Sequence, residues 1–161
     1  MRNATMRPRA ALLLLALLLA ACSAGPGAVH WGVEECAHCQ MMIADERYAA
    51  QVVDRRGRTF KFDAIECMTS FLRAGELAQA DVHSVWVADG RERWITVENA
   101  HFVHSERIRS PMGGGLAAYA DEAAARRVLA ETGGALLAWA DVLRLELPAH
   151  DHGSHAAHDS H

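Results

Sequence analysis

The sequence carries no excess of positive charge. Its 161 residues include 16 Lys and Arg against 20 Asp and Glu, which gives a formal net charge of −4. Proteins that bind nucleic acids need basic surfaces, so nucleic acid is not an expected partner. The sequence also lacks a Ser/His/Asp arrangement, a phosphate-binding glycine loop and a pair of carboxylates suited to hydrolysis. We therefore predict that the protein is not an enzyme.

No apolar run is long enough for a helix that spans a bilayer, which takes ~20 residues. The run over residues 10–21 instead has the length of the hydrophobic region of a signal peptide. It ends in Leu19-Ala20-Ala21-Cys22, which resembles the lipobox of bacterial lipoproteins. We predict a lipoprotein signal peptide over residues 1–21, palmitate or similar acyl chains on Cys22, and a lipidated tether over residues 22–29. These features predict an anchor at the periplasmic face of a membrane, and Ser23 favours the outer membrane.

Cysteines are few, and their number is odd once Cys22 is assigned to lipid. Cys36, Cys39 and Cys67 remain. An odd number in an oxidising compartment argues against a simple disulfide framework, so at least one thiol has another role. Without residues 1–21 the chain keeps 13 basic and 20 acidic residues, a net charge of about −7. Its length suits one domain, which we place at residues 30–147.

The same order of elements is predicted twice within this domain. In the first unit, at about residues 30–98, strands are predicted over residues 48–53, 58–62, 82–87 and 93–97, with a helix over 65–72. In the second, at about 99–147, strands are predicted over residues 101–104, 116–119 and 135–139, with a helix over 122–132. Asp63-x-x-Glu66 reads as a capping box for the first helix, and Asp121 as the cap of the second. Trp86 and Trp139 occupy similar places near the ends of the units. We predict an α+β fold of two related β-β-α(-β) units packed side by side.

The last residues, 148–161, have no apolar face to bury, and we predict a disordered histidine-rich tail. Its imidazoles are suited to loose binding of Cu(II) or Zn(II). The histidines of this tail are His150, His152, His155, His158 and His161.

Soft donor atoms concentrate in one short stretch. Two thiols, two thioethers and an imidazole come from Cys36, His38, Cys39, Met41 and Met42. Thiolates and thioethers favour Cu(I), and thiolates also suit zinc and iron–sulfur clusters. The Cys-x-x-Cys spacing is therefore compatible with several uses.

Each use other than copper binding has its own requirement. Structural zinc needs four ligands, which Cys67 and scattered histidines would have to complete. Covalent haem needs a His directly after the second Cys, where this chain has Gln40. Thioredoxin-like chemistry needs the pair at a strand-to-helix junction, whereas this pair precedes the first predicted strand. On spacing alone, a thiol–disulfide oxidoreductase, a structural zinc-bearing interaction domain and a structural disulfide stay open.

Two further methionines bear on the site. Met68 follows Cys67 on the apolar face of its predicted helix, where packing explains it. Met112 lies between Pro111 and a run of three glycines, on an irregular loop where packing gives it little reason to be.

Four motifs follow one another along the chain. They are the lipobox, Cys36-x-x-Cys39-x-Met41-x-Ile43-x-Asp45, Phe62-Asp63-Ala64-Ile65-Glu66-Cys67-Met68, and Ser110-Pro111-Met112-Gly113. Taken in this order, the motifs resemble the NosL family, lipoproteins associated with assembly of nitrous oxide reductase, an enzyme of denitrification. The resemblance extends over residues 22–147 and departs from the family pattern at two positions, with Gln40 in place of Gly and Ala64 in place of Asp.

The resemblance implies a lipid-anchored Cu(I) chaperone that delivers copper for nitrous oxide reductase, alongside an ABC-type maturation transporter. It also implies two ββα-type units like those of the organomercurial lyase MerB. Carried over residue by residue, it implies Cys39, Met41 and Met112 as soft donors together with Cys36. Further candidates are Met42, Cys67, Met68 and His38.

Overall fold

The computed structural model of the protein describes residues 25–90 and 93–146. The predicted signal peptide, the predicted lipidation site Cys22 and the histidine-rich segment at 148–161 lie outside the described residues. No helix within the described residues has the length and apolar character needed to cross a membrane.

The first unit is a four-stranded antiparallel sheet with one helix. Its elements are β1 (Ala50–Asp54), β2 (Thr59–Phe62), α1 (Ile65–Arg73), β3 (Val82–Ala88) and β4 (Trp94–Thr96). The strand order is β2-β1-β3-β4. Strands β1 and β2 form the predicted hairpin, whose turn is closed by the Asp54 carboxylate as it accepts the N–H groups of Arg56 and Arg58, each at 2.8 Å.

The second unit repeats this arrangement with a three-stranded antiparallel sheet. Its elements are β5 (His101–His104), β6 (Leu116–Tyr119), α2 (Glu122–Thr132), β7 (Ala135–Leu137) and α3 (Trp139–Arg144). The strand order is β6-β5-β7, so the central strand, like β1, lies between its hairpin partner and the strand that follows the helix. The α+β fold of two related units is therefore confirmed.

The two units share one hydrophobic core. Buried residues of the first unit, such as Phe62 and Met68, belong to the same cluster as Phe102 and Leu116 of the second. The backbones also meet, because the Gly90 N–H donates to the carbonyl of Ala118 at 3.1 Å. The two units are therefore held together both by side-chain packing and by a backbone hydrogen bond.

The predicted capping box at the start of α1 is wrong. Ala64 is the N-cap residue, and no side chain caps the first turn by accepting one of its N–H groups. Asp63 instead accepts the N–H of Ala44 at 3.3 Å, and Glu66 is turned towards the second unit. Both carboxylates therefore bind groups distant in the sequence instead of the N–H groups at the start of the helix. The cap at Asp121 is confirmed, with its carboxylate accepting the Ala124 N–H at 2.7 Å.

The strand predicted over residues 135–139 is too long. It ends at Leu137, and Trp139 is the first residue of α3, whereas Trp86 lies within β3. The Asp141 carboxylate accepts the N–H of Ala138 at 3.2 Å, which favours a helical turn at this point. The likeness between the two tryptophans is therefore not structural.

Contacts with the first sheet begin within residues 22–29, the segment predicted to be a tether. Gly27 exchanges two hydrogen bonds with the Gln51 amide on β1, at 2.7 and 2.9 Å. Lys61 on β2 donates to the carbonyl of Ala28 and to both carboxylate oxygens of Glu34, the latter at 2.7 Å. This ammonium holds the pKa of Glu34 down at about 2. The chain is thus attached to the sheet from Gly27 onwards.

Candidate metal centre

The Cys-x-x-Cys motif lies in a tight turn between two short extended segments. Glu35 and Met42 face each other in an isolated antiparallel bridge, and the Cys36 N–H donates to the carbonyl of Met41 at 2.8 Å. The Ala37 N–H donates to the carbonyl of Lys61 at 2.8 Å, which fastens the turn to β2. The loop is therefore held by backbone hydrogen bonds before any metal is considered.

Gln40 closes this turn in a left-handed conformation. Its N–H donates to the carbonyl of Cys36 at 3.0 Å, and its φ is 62°. Among the described residues it is the only one other than glycine with a positive φ. The family pattern has glycine at this position, and a left-handed backbone favours glycine because it has no side chain. Gln40 therefore adopts a conformation that its side chain makes unfavourable.

Replacing Gln40 with Gly should stabilise the metal-free, reduced protein. A left-handed residue with a side chain costs ~1–2 kcal/mol, and the greater flexibility of unfolded glycine offsets about 0.5–1 kcal/mol of the gain. We expect the free energy of unfolding, measured in urea, to rise by up to ~1 kcal/mol. The matched control, Gln40→Ala, should give no such gain, and equal effects of the two substitutions would contradict the role given to the left-handed backbone.

Three thiols meet behind this turn. The sulfur atoms of Cys36, Cys39 and Cys67 all lie within 4.8 Å of one another. All three cysteines are free and buried, with Cys36 1% and Cys39 8% exposed. Within residues 25–90 and 93–146, no other group of three or more Cys, His, Asp or Glu donor atoms converges in this way.

Helix α1 places Cys67 beside the other two thiols. Cys67 is the third residue of α1, whose buried face includes Ile65, Met68 and Phe71. This face packs in the same core as Cys36 and Cys39. The buried face of this helix therefore supplies the third sulfur of the cluster.

The thiols differ in their electrostatic environment. A hydrogen bond from the Cys67 thiol lowers the pKa of Cys36 to about 5, helped by the backbone N–H groups of Asp63, Cys39 and His38 and opposed by burial. The same bond raises the pKa of Cys67, and burial raises the pKa of Cys39. Cys36 is therefore the thiol of the three that loses its proton most readily.

The other donors predicted around the motif do not join the thiols in one buried group. Met41 and Met42 are exposed, at 53% and 60%. The Nδ1 atom of His38 lies 3.4 Å from Oε1 of Glu76. Met68 is fully buried in the hydrophobic core, as expected from its place on the helix. Two thioethers are thus presented at the surface beside a buried cluster of sulfur atoms.

Met112 reaches the same core from the second unit. Its side chain is partly buried and packs against the hydrophobic cluster that includes the three cysteines. Its loop is tied to α1, because Ser110 Oγ donates to Glu66 Oε1 and accepts the N–H of Gly115 at 2.9 Å. The fold therefore draws the Ser110–Gly115 loop towards the helix that carries Cys67.

Sequence reasoning missed this tie between the two units. Glu66 was assigned to a helix cap, yet it is buried, and its burial raises the pKa of its carboxyl group. Its Oε2 atom is buried without a hydrogen-bond partner among the described residues. Gly114 leaves the room for this side chain, because a Cβ added there would lie 2.6 Å from the Cγ atom of Glu66. In the sequence it is only one glycine in a run of three, so it did not point to Glu66.

Comparisons with known proteins agree on one family. The NosL family model matches residues 31–146, which is more than half of the chain. No curated protein matches the sequence significantly. The fold is similar to that of the crystal structure of the copper chaperone NosL from Shewanella denitrificans, with a TM-score of 0.63 and 21% identity over 73% of this chain and 94% of that one. The chain therefore belongs to the NosL family.

Proposed function

We propose that this protein is a Cu(I) chaperone that holds copper at Cys36, Cys39 and Cys67. The observation that carries the proposal is the convergence of three sulfur atoms within 4.8 Å of one another in a buried site. Thiolates are soft ligands that select Cu(I), whereas structural zinc takes four ligands. The similarity in fold to a protein described as a copper chaperone supports the same conclusion.

Transfer of copper needs ligands that can be displaced. Met112 packs against the core that contains the thiols, and its uncharged thioether is suited to weak coordination and release. Met41 and Met42 are exposed beside the turn, where their sulfur atoms are accessible to incoming copper or to a ligand of a partner. In this proposal the three thiols hold the copper ion, and the thioethers bind it weakly as it enters or leaves the site.

Features of the sequence support a cellular setting for this function. The lipobox supports a lipid anchor on Cys22 at the periplasmic face of a membrane, with the outer membrane favoured. Membership of the NosL family supports nitrous oxide reductase as the destination of the copper and its ABC-type maturation transporter as a second partner. The histidine-rich tail would bind Cu(II) or Zn(II) loosely and raise the local supply of metal.

An anaerobic titration of the reduced protein with Cu(I), against a competing chelator, tests the copper site. We expect one tightly bound Cu(I) per chain. A variant that ends at Pro148 should keep this site and lose only weak Cu(II) or Zn(II) binding.

Three results would contradict the proposal. They are a tail deletion that abolishes Cu(I) binding, stoichiometric Zn(II) binding that Cu(I) cannot displace, and turnover of a disulfide substrate that depends on Cys36 and Cys39. The last would favour the oxidoreductase, although both of its thiols are buried.

A further inference from the structure

The N-terminal segment lies against the hairpin of β1 and β2 and leads towards its turn at residues 55–58. The carbonyl of Ala28 accepts a hydrogen bond from the Lys61 ammonium group. One residue earlier, a Cβ added at Gly27 would lie 3.5 Å from the hydroxyl oxygen of Thr59. Thr59 is the first residue of β2 and directly follows the turn. Followed backwards, the chain therefore moves along β2 from Lys61 towards the hairpin turn.

The predicted lipid anchor is a short distance further along the chain. Among the described residues, no heavy atom beyond the chain neighbours lies within 4 Å of a Cβ added at Gly25, so space is open beside it. Three peptide units join Cys22 to Gly25, and they span at most ~11 Å whatever their conformation. Acyl chains on Cys22 would enter the bilayer and hold this residue at its surface. Gly25 would then lie within ~11 Å of the membrane surface.

The Cys-x-x-Cys turn is fastened further from this point. The N–H of Ala37 donates to the carbonyl of Lys61, whereas the tether reaches β2 at Thr59. Two residues of a strand separate these positions by ~7 Å. A membrane that approaches the hairpin turn therefore meets it before it meets Met41 and Met42, which are exposed beside the thiol cluster.

The charges of the hairpin turn do not oppose an anionic membrane surface. Arg55, Arg56 and Arg58 are exposed. Asp54 is buried, with its carboxylate bonded to the backbone of the turn. The exposed Asp81, whose carbonyl accepts the N–H of Arg55 at 2.9 Å, sets one carboxylate against three guanidinium groups. The charge of the turn permits contact with anionic headgroups, and the position of the tether determines which surface faces them.

We propose that the hairpin turn at residues 55–58 faces the membrane surface and that the Cys-x-x-Cys turn is directed away from it. The short tether sets this orientation, which rests on the proposed lipid anchor at Cys22 and is independent of copper. The exposed thioethers of Met41 and Met42 would then be turned towards soluble partners.

Photocrosslinking to lipid tests the orientation. The full chain, processed by a bacterium that lipidates it, is placed in liposomes of phosphatidylethanolamine and phosphatidylglycerol, with p-benzoylphenylalanine at one position at a time. Arg56 in the hairpin turn should give several-fold more lipid adducts, counted by mass spectrometry, than Met42. The matched control is Arg127, which is also an exposed arginine but lies on α2 of the second unit. It should give as few adducts as Met42.

A longer tether provides the second variant. About ten Gly and Ser residues inserted between Ala24 and Gly25 add at most ~35 Å of reach. The protein should stay on the membrane and keep its melting temperature and its affinity for Cu(I). The ratio of lipid adducts at Arg56 to those at Met42 should fall towards one, because the domain would be free to turn.

Three outcomes would contradict the inference. Equal numbers of adducts at the three positions of a lipidated chain would overturn the orientation and leave the lipid anchor and the copper site standing. A ratio that the longer tether does not change would assign the orientation to the arginines of the turn instead. An intact mass without acyl chains would contradict the proposed lipid anchor and this inference together.

Discussion

Replacing Cys67 with serine should weaken Cu(I) binding as severely as replacing Cys36 or Cys39. Loss of an outer-shell partner typically costs a metal site ~10- to 100-fold in affinity, and loss of a direct thiolate ligand should exceed that. Serine nearly preserves the shape of the buried side chain but offers a hard oxygen, which Cu(I) binds poorly. Competition titrations of the three single variants against the same chelator give the comparison.

A neighbouring methionine provides the control for Cys67→Ser. Met68 is equally buried on the same helix, and Met68→Leu conserves its volume, at a cost in stability below ~1.5 kcal/mol. Its Cu(I) affinity should stay within a few-fold of the parent. If Cys67→Ser kept full affinity while Cys39→Ser and Met112→Ala lost it, copper would be held by the motif and the Met112 loop without the helix, as the family resemblance alone implies.

The sequence predicted two of the three thiols of the cluster more directly than the third. The Cys-x-x-Cys turn is local, so its donors were evident from spacing. Cys67 joins them through the packing of α1 against the same core, which depends on contacts between distant parts of the chain. The hydrophobic periodicity that predicted α1 also placed Cys67 beside its apolar face, but it could not say which other side chains that face would meet.

The elements themselves were predictable where the pattern was local and strong. The hairpin of β1 and β2 alternates apolar and polar residues around a turn, and the order of elements repeats in the second unit. The errors arose where distant groups competed for a side chain. Asp63 and Glu66 had the right spacing for a capping box, yet Ala44 and Ser110 bind them in the folded chain. Local propensity is overridden at such positions by tertiary contacts.

Replacing Glu66 with alanine should both destabilise the protein and loosen the loop that carries Met112. The Glu66 carboxyl accepts hydrogen bonds from Ser110 Oγ and, at 3.4 Å, from the N–H of Leu116, both buried. Truncation would leave these donors unsatisfied, at ~1–3 kcal/mol, and would open a cavity in a region that Gly114 lets the side chain fill closely. We expect the free energy of unfolding in urea to fall by about 2–4 kcal/mol.

The conservative variant separates shape from charge. Burial already raises the pKa of Glu66, which favours its neutral form, so Glu66→Gln should retain most of the stability. Ser110→Ala removes the partner and keeps the carboxyl group, and it should cost ~1–3 kcal/mol. A cycle that combines Ser110→Ala with Glu66→Ala should give a coupling energy of about 0.5–3 kcal/mol, since the two side chains are in direct contact.

Copper affinity distinguishes a positioning role from a purely structural one. If Glu66 holds the Met112 loop near the thiols, Glu66→Ala should lower the affinity for Cu(I) by ~10- to 100-fold under conditions where the variant is still folded, and Glu66→Gln should restore it. Adding Met112→Ala to Glu66→Ala should then lower the affinity for Cu(I) little further, because the Met112 thioether would already have moved away from the thiols. Equal and additive losses from the two substitutions would mean that Glu66 stabilises the fold without placing Met112. The link between the units would then serve the core, and the three cysteines would bind copper without help from the loop.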